Sequence, residues 1–127
     1  MHRVHMSGRA VAALVGIALV VGGLLLTGVM LAYPRQVDVT ITTRPGETLG
    51  FTPEVVVVPA ETTVRVAFQN VSIQEHNLTF LAPISRGSRT IVDAGATDSI
   101  VIRTPGAGVY TFVCTIHMEM SGTLEVR

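Results

Sequence analysis

Val109–Val126 reads VYTFVCTIHMEMSGTLEV. Its two ends, VYTFVC (Val109–Cys114) and TLEV (Thr123–Val126), alternate apolar and polar residues. That period of two, with β-branched and aromatic side chains on the apolar positions, marks strands with one buried face. Between them CTIHMEMSG (Cys114–Gly122) is a tight connection. It holds the chain's single Cys, a His three residues on, and two Met. One stretch therefore raises both questions about this chain: what sheet the strands belong to, and what the loop does.

Outward from this stretch the same texture continues. VDVTIT (Val37–Thr42), TVRVAF (Thr63–Phe68) and SIVIR (Ser99–Arg103) alternate in the same way. EVVVVP (Glu54–Pro59) is a continuous apolar run, which predicts a more fully buried strand, and HNLTFL (His76–Leu81) predicts another strand. Turn-forming clusters separate them: RPGE at Arg44, PAET at Pro59, APISRGS at Ala82, DAGA at Asp93 and TPGAG at Thr104. No segment after Pro34 carries helical periodicity. Short strands punctuated by turns over about a hundred residues predict an all-β, Greek-key β-sandwich across residues 34–127. Such a domain is large enough to bury its own core.

The loop has two readings. A free Cys often behaves as a small buried hydrophobe, with Met as core filler, and a lone Cys-x-x-His pair has a high false-positive risk. Position favours a metal. The connection joins two strands, and Cys114, His117 and Met120 are spaced three apart. Thiolate, imidazole and thioether form a soft donor set that suits copper rather than magnesium or calcium. A trigonal site needs one more imidazole. His2 and His5 precede the long apolar run, which leaves His76 in EHNLTF. Two His, one thiolate and a weak axial Met describe a blue-copper electron-transfer site.

At this point the sequence resembles the cupredoxins, the type 1 blue copper proteins. The likeness covers FTPEVVVVPAETTVRVAFQNVSIQEHNLTF (Phe51–Phe80) and PGAGVYTFVCTIHMEMSGTLEV (Pro105–Val126). The ligand loop, with two residues from Cys114 to His117 and two from His117 to Met120, is most similar to that of amicyanin; the related plastocyanin and azurin have longer loops. The resemblance implies one type 1 copper per chain, bound by His76, Cys114, His117 and Met120. It implies that Asn77 tethers the two ligand loops by hydrogen bonds. It also implies an electron route through His117, with an apolar docking patch from Ile116, Met118 and neighbouring loops such as Ala82 and Pro83. Met118 offers a second thioether; its place beside His117 puts it on the outer surface, so Met120 is the favoured axial ligand.

The implied function is transfer of single electrons between a redox donor and acceptor, such as respiratory or photosynthetic membrane components. Copper storage or delivery to a cuproenzyme is the alternative, since HMEM holds the soft donors that role would use. An enzyme fits less well. A second copper centre needs further His or a second Cys, and the sequence after Pro34 has only two His and one Cys. A metal-free adhesive sandwich would leave an exported free thiol unexplained.

The N-terminus sets the location. Ala10–Ala32, AVAALVGIALVVGGLLLTGVMLA, is 23 residues without a charge. That suits a helix across a hydrocarbon core of about 30 Å. Residues 1–9 then form a cytoplasmic N-terminus, since Arg3 and Arg9 precede the span. Residues 10–33 form a transmembrane anchor, and residues 34–127 lie outside, periplasmic or extracellular. A cleaved signal peptide would have a shorter apolar region and a small residue where Met30 stands. Only Tyr33 to Gln36 link the span to the first strand, which predicts a domain held close to the membrane.

Formal net charge is zero, which gives no electrostatic case for nucleic-acid binding, since that needs a basic face. All nine basic residues are Arg, a bias without a physical account. From Pro34 onward seven Arg face nine acids, a difference of −2 that by itself says nothing of a partner's charge. A single Cys excludes an intrachain disulfide.

Overall fold

The computed structural model describes residues 35–127. The expected cytoplasmic segment 1–9 and anchor 10–33 lie outside the described residues. Nine strands occur in chain order: β1 (Gln36–Thr43), β2 (Phe51–Thr52), β3 (Val55–Val58), β4 (Thr63–Gln69), β5 (Thr79–Phe80), β6 (Arg86–Gly87), β7 (Thr97–Arg103), β8 (Gly108–Val113) and β9 (Ser121–Val126). No helix occurs among the described residues. The strands form two sheets, ordered β2-β1-β4-β7 and β3-β9-β8-β5-β6. The chain crosses between them repeatedly, as an all-β Greek-key sandwich requires.

Alternation explains which side chains enter the core. On β1, Ile41 and Thr43 are buried between less buried neighbours; on β4, Val64, Val66 and Phe68; on β7, Ile100 and Ile102; on β9, Gly122, Leu124 and Val126. Four Phe from both sheets meet at the centre. The Phe51 and Phe112 rings lie 5.2 Å apart edge-on, Phe80 and Phe112 5.6 Å apart, and Phe51 and Phe68 6.3 Å apart. Tilted aromatic pairs of this kind add about 0.5–1.5 kcal/mol each beyond their buried area. Gly122 pairs with Phe112 across β8 and β9. A Cβ there would come within 2.2 Å of the Phe112 ring, so only glycine lets that ring fill the core.

Two strand expectations need correction, and two short strands are unexpected. Glu54–Pro59 is not fully buried: Val55 and Val57 are about half exposed while Val56 and Val58 face the core. β3 is an edge strand, and valine on both faces hides its alternation. His76–Leu81 yields only Thr79–Phe80 as strand, because His76 makes an isolated bridge to Val92 instead. β2 and β6, two residues each, are too short to leave a pattern in sequence.

The sandwich has two distinct ends. β4 runs parallel to β1 and antiparallel to β7, with Thr63 opposite both Gln36 and Arg103. At its other end Gln69 lies beside Thr42 and Thr97. About 23 Å separates Thr63 from Asn70 along an extended strand.

Candidate metal centre

Cys114 immediately follows β8, and its backbone N–H donates to the Met120 carbonyl at 3.0 Å. The Met120 N–H in turn donates to the His117 carbonyl at 2.9 Å. These two bonds close the loop on itself and bring residues three apart to one side. His76 arrives from the loop between β4 and β5. It is pinned to Val92 by reciprocal backbone hydrogen bonds of 3.2 and 2.8 Å. Three side chains from two distant segments thus converge at the site end of the sandwich.

The Nδ1 atom of His76 lies 3.7 Å from Cys114 Sγ, and that of His117 lies 3.9 Å from it. Ligand atoms of all three residues fall within 4.8 Å of one another. Among the described residues no other group of three or more His, Cys, Asp or Glu side chains gathers in this way. Ligand bonds of about 2.0 Å to nitrogen and 2.3 Å to sulfur, splayed between tetrahedral and trigonal angles, put N and S about 3.5–3.7 Å apart, within about 0.2 Å of both spacings. The observed spacing therefore fits one ion held between the rings and the thiol. The donor chemistry fits copper, with no carboxylate in the group.

Burial sharpens the fit. Cys114 is fully buried, His76 is 1% exposed, and His117 is half-buried. Burial, followed by the neighbouring His117, holds the His76 imidazole below its ordinary pKa. The ring therefore stays neutral, the form that can ligate a metal. The two imidazoles tilt by 53° with centroids 4.8 Å apart.

Asn77 locks the two segments together. Its backbone N–H points to Cys114 Sγ at 3.4 Å. Its side-chain amide donates to Thr115 Oγ1 at 2.7 Å and to the Thr90 carbonyl at 2.8 Å. Its side-chain oxygen accepts the Thr115 N–H at 2.8 Å. One buried amide thus joins three loops and fixes the residue next to each of two donors. Behind it, Asn70 donates to the Gln74 and Val92 carbonyls at 2.8 and 2.9 Å. Thr43 donates to Asn70 and accepts the Val71 and Ser72 N–H groups. No buried side-chain N or O among the described residues lacks a partner.

The four residues singled out in sequence are placed as follows. His76, Cys114 and His117 meet. Met120 is 1% exposed in the adjoining core, whereas Met118 is 64% exposed. The expected tether through Asn77 is present. Ile116 and Met118 are exposed beside His117, as expected of a docking patch. Ala82 and Pro83 do not belong to that patch. β5 runs antiparallel to β8, with Thr79 opposite Val113 and the Leu81 N–H on the Thr111 carbonyl, so the chain moves away from Cys114. Pro83 ends beside Thr63, Arg103 and Pro105 at the far end. Ile73 and Ile91, both exposed, belong to loops at the site end instead. Sequence reasoning also missed Thr43, Asn70, Thr90 and Thr115, whose partners lie far along the chain and leave no local signal.

A family described as the cupredoxin-like domain matches residues 16–126, so the chain belongs to it. Auracyanin A, a blue copper protein from Chloroflexus aurantiacus, is 23% identical, with a TM-score of 0.64; the match covers 73% of this chain and all of that one. Amicyanin from Paracoccus versutus is 24% identical, with a TM-score of 0.52, over 71% of this chain and 81% of that one. A copper-containing nitrite reductase from Thermus scotoductus is 17% identical, with a TM-score of 0.57, over 73% of this chain but only 28% of the enzyme. At these identities the likeness to each structure is one of fold. Among curated proteins there is no match.

Proposed function

We propose that this protein is a membrane-anchored type 1 copper protein that carries single electrons between a redox donor and acceptor on the outer side of a membrane. His76, Cys114, His117 and Met120 are the ligands. The observation that carries this is the pair of Nδ1 atoms at 3.7 and 3.9 Å from one buried thiol, with Asn77 joining the loops that supply them. Bound copper supplies a one-electron couple. The chain's own residues do the rest. The Cys114 thiolate offsets metal charge inside a buried site, and buried His76 and Met120 keep water out. The hydrogen bonds of Asn77 and the closed loop hold the donors in place, so little rearranges as the charge changes. Half-buried His117 gives the site an edge toward solvent, and exposed Ile116 and Met118 offer an apolar rim for a small transient contact. The protein is not an enzyme in this account. After Pro34 the sequence has only two His and one Cys, which this single centre uses up.

The uncharged run Ala10–Ala32 after Arg3 and Arg9 supports the anchor and its sidedness. Resistance to carbonate extraction, and digestion of residues 34–127 by protease added outside, test both.

Copper storage or delivery is the second reading, favoured by one observation: Met118 presents an exposed thioether beside His117. Redox cycling of the copper-loaded full chain separates the two. An electron carrier cycles reversibly and keeps its metal against a copper(I) chelator. A delivery protein surrenders copper(I) to the chelator, and Met118→Leu slows that transfer.

A further inference from the structure

A groove of about 460 Å³ opens at the far end of the sandwich, lined by Thr63, Pro83, Ile84, Arg86, Val101 and Arg103 among others. It forms where the edge strands of the two sheets meet: β6 ends one sheet and β7 the other. Arg86 comes from β6 and Arg103 from the end of β7. Four other arginines, Arg44, Arg65, Arg89 and Arg127, pair with Glu54, Asp38, Asp98 and Glu125. Among the described residues neither groove arginine has an ion-pair partner. Arg35 precedes β1 at this same end, where Gln36 pairs with Thr63.

The net charge of −2 over residues 34–127 conceals a separation. Glu47, Glu75, Asp93 and Glu119 lie in the loops of the site end and carry no ion pair among the described residues, whereas Arg35, Arg86 and Arg103 gather at the other. Glu61, whose N–H donates to the Pro105 carbonyl, is the acid beside the groove and pairs with neither arginine. Arginine on an edge strand also discourages edge-to-edge association. That role needs no concavity and no convergence of two arginines from separate sheets.

We infer that the groove between β6 and β7 binds a phosphate-bearing anion through Arg86 and Arg103. The guanidinium fork matches two phosphate oxygens, and Arg is the side chain suited to such planar, paired contacts. Pro83, Ile84 and Val101 supply an apolar wall for whatever the phosphate is attached to. A free phosphate and a phospholipid headgroup share this chemistry. The headgroup source rests on the membrane-anchored reading above; the free-phosphate source does not, and neither depends on copper.

The test uses the full chain in nanodiscs. In phosphatidylcholine discs, inorganic phosphate is titrated while thermal unfolding is followed. In parallel, discs containing phosphatidylglycerol are compared with phosphatidylcholine discs without added phosphate. The double variant Arg86→Gln/Arg103→Gln is carried through both arms, and an unchanged visible copper band shows that its fold is intact. A saturable rise in Tm of about 4 °C with phosphate, lost in the variant, supports a free-phosphate site. A similar rise in phosphatidylglycerol discs, lost in the variant, supports a headgroup site. No rise in either arm, or a rise that the double variant retains, overturns the proposal. The retained rise would mark the general stabilisation that phosphate gives any folded protein.

Discussion

The two ends of the sandwich are built differently. Of the six buried polar residues among those described, Thr43, Asn70, Ser72, His76 and Asn77 lie at the site end; Thr104 alone lies at the other. The far end is closed mostly by backbone. Ala60 donates to the Arg127 carbonyl and Glu61 to that of Pro105, with Thr104 linking Pro59 and Thr62. The site end is made of long loops, where strand ladders stop and backbone groups need other partners. Buried amides and hydroxyls supply them. A soft-ligand site placed there inherits a rigid frame, while its ligands stay near the surface. The difference teaches that polar residues, which a core normally excludes, are here what hold the donors still.

Four changes would break or sharpen this contrast. The largest effect belongs to the core that both ends share. Gly122→Ala would drive a methyl into the Phe112 ring, and a loss of about 3 kcal/mol or more is expected from denaturant unfolding. Asn77→Ala should come next. It removes three side-chain hydrogen bonds and leaves the Thr115 N–H without its partner, a loss of about 2–3 kcal/mol. It should also weaken copper retention, whereas Thr104→Ala at the far end should lower stability without touching copper affinity. Equal effects of both on copper would erase the distinction between the ends.

The third concerns pH. His76 is held below its ordinary pKa of 6.5 in the folded, metal-free chain. As pH falls, the unfolded chain takes up this proton first. Stability should therefore hold above about pH 6.5, decline below it at up to about 1.4 kcal/mol per pH unit, and level off below the folded value. Denaturant midpoints of the metal-free protein across that range, compared with those of His76→Gln, check it. The smallest effect lies on the surface. Arg65 and Gln36 hold the Asp38 carboxyl below its usual range, but the pair is exposed, so Asp38→Asn should leave thermal unfolding unchanged.

Much of this was legible in sequence where a pattern repeats within a few residues. β1, β4, β7, β8 and β9 announce themselves by alternation, and the donors of the ligand loop lie within seven positions. His76 could be found because few imidazoles remain once the N-terminal pair is set aside. The frame around it could not. Thr43 reaches Asn70 across 27 residues and Asn77 reaches Thr115 across 38. Only the fold brings such partners together, and nothing local marks an Asn that will be buried. Val55–Val58 misled because alternation in burial needs no alternation in residue type. Ala82 and Pro83 were misplaced because strand direction, not proximity in sequence, decides at which end a loop emerges. Arg86 and Arg103 come from different sheets, so their convergence has no sequence signature.

The central claim is that His76, Cys114 and His117 share one copper ion. Its most direct test is the visible spectrum of the full chain with one equivalent of copper(II), alongside Cys114→Ser and His76→Gly. The expected result is an intense blue thiolate-to-copper band, bleached by ascorbate, absent in Cys114→Ser, and restored in His76→Gly by added imidazole. A colourless copper(II) complex, or a band that survives Cys114→Ser, would contradict it.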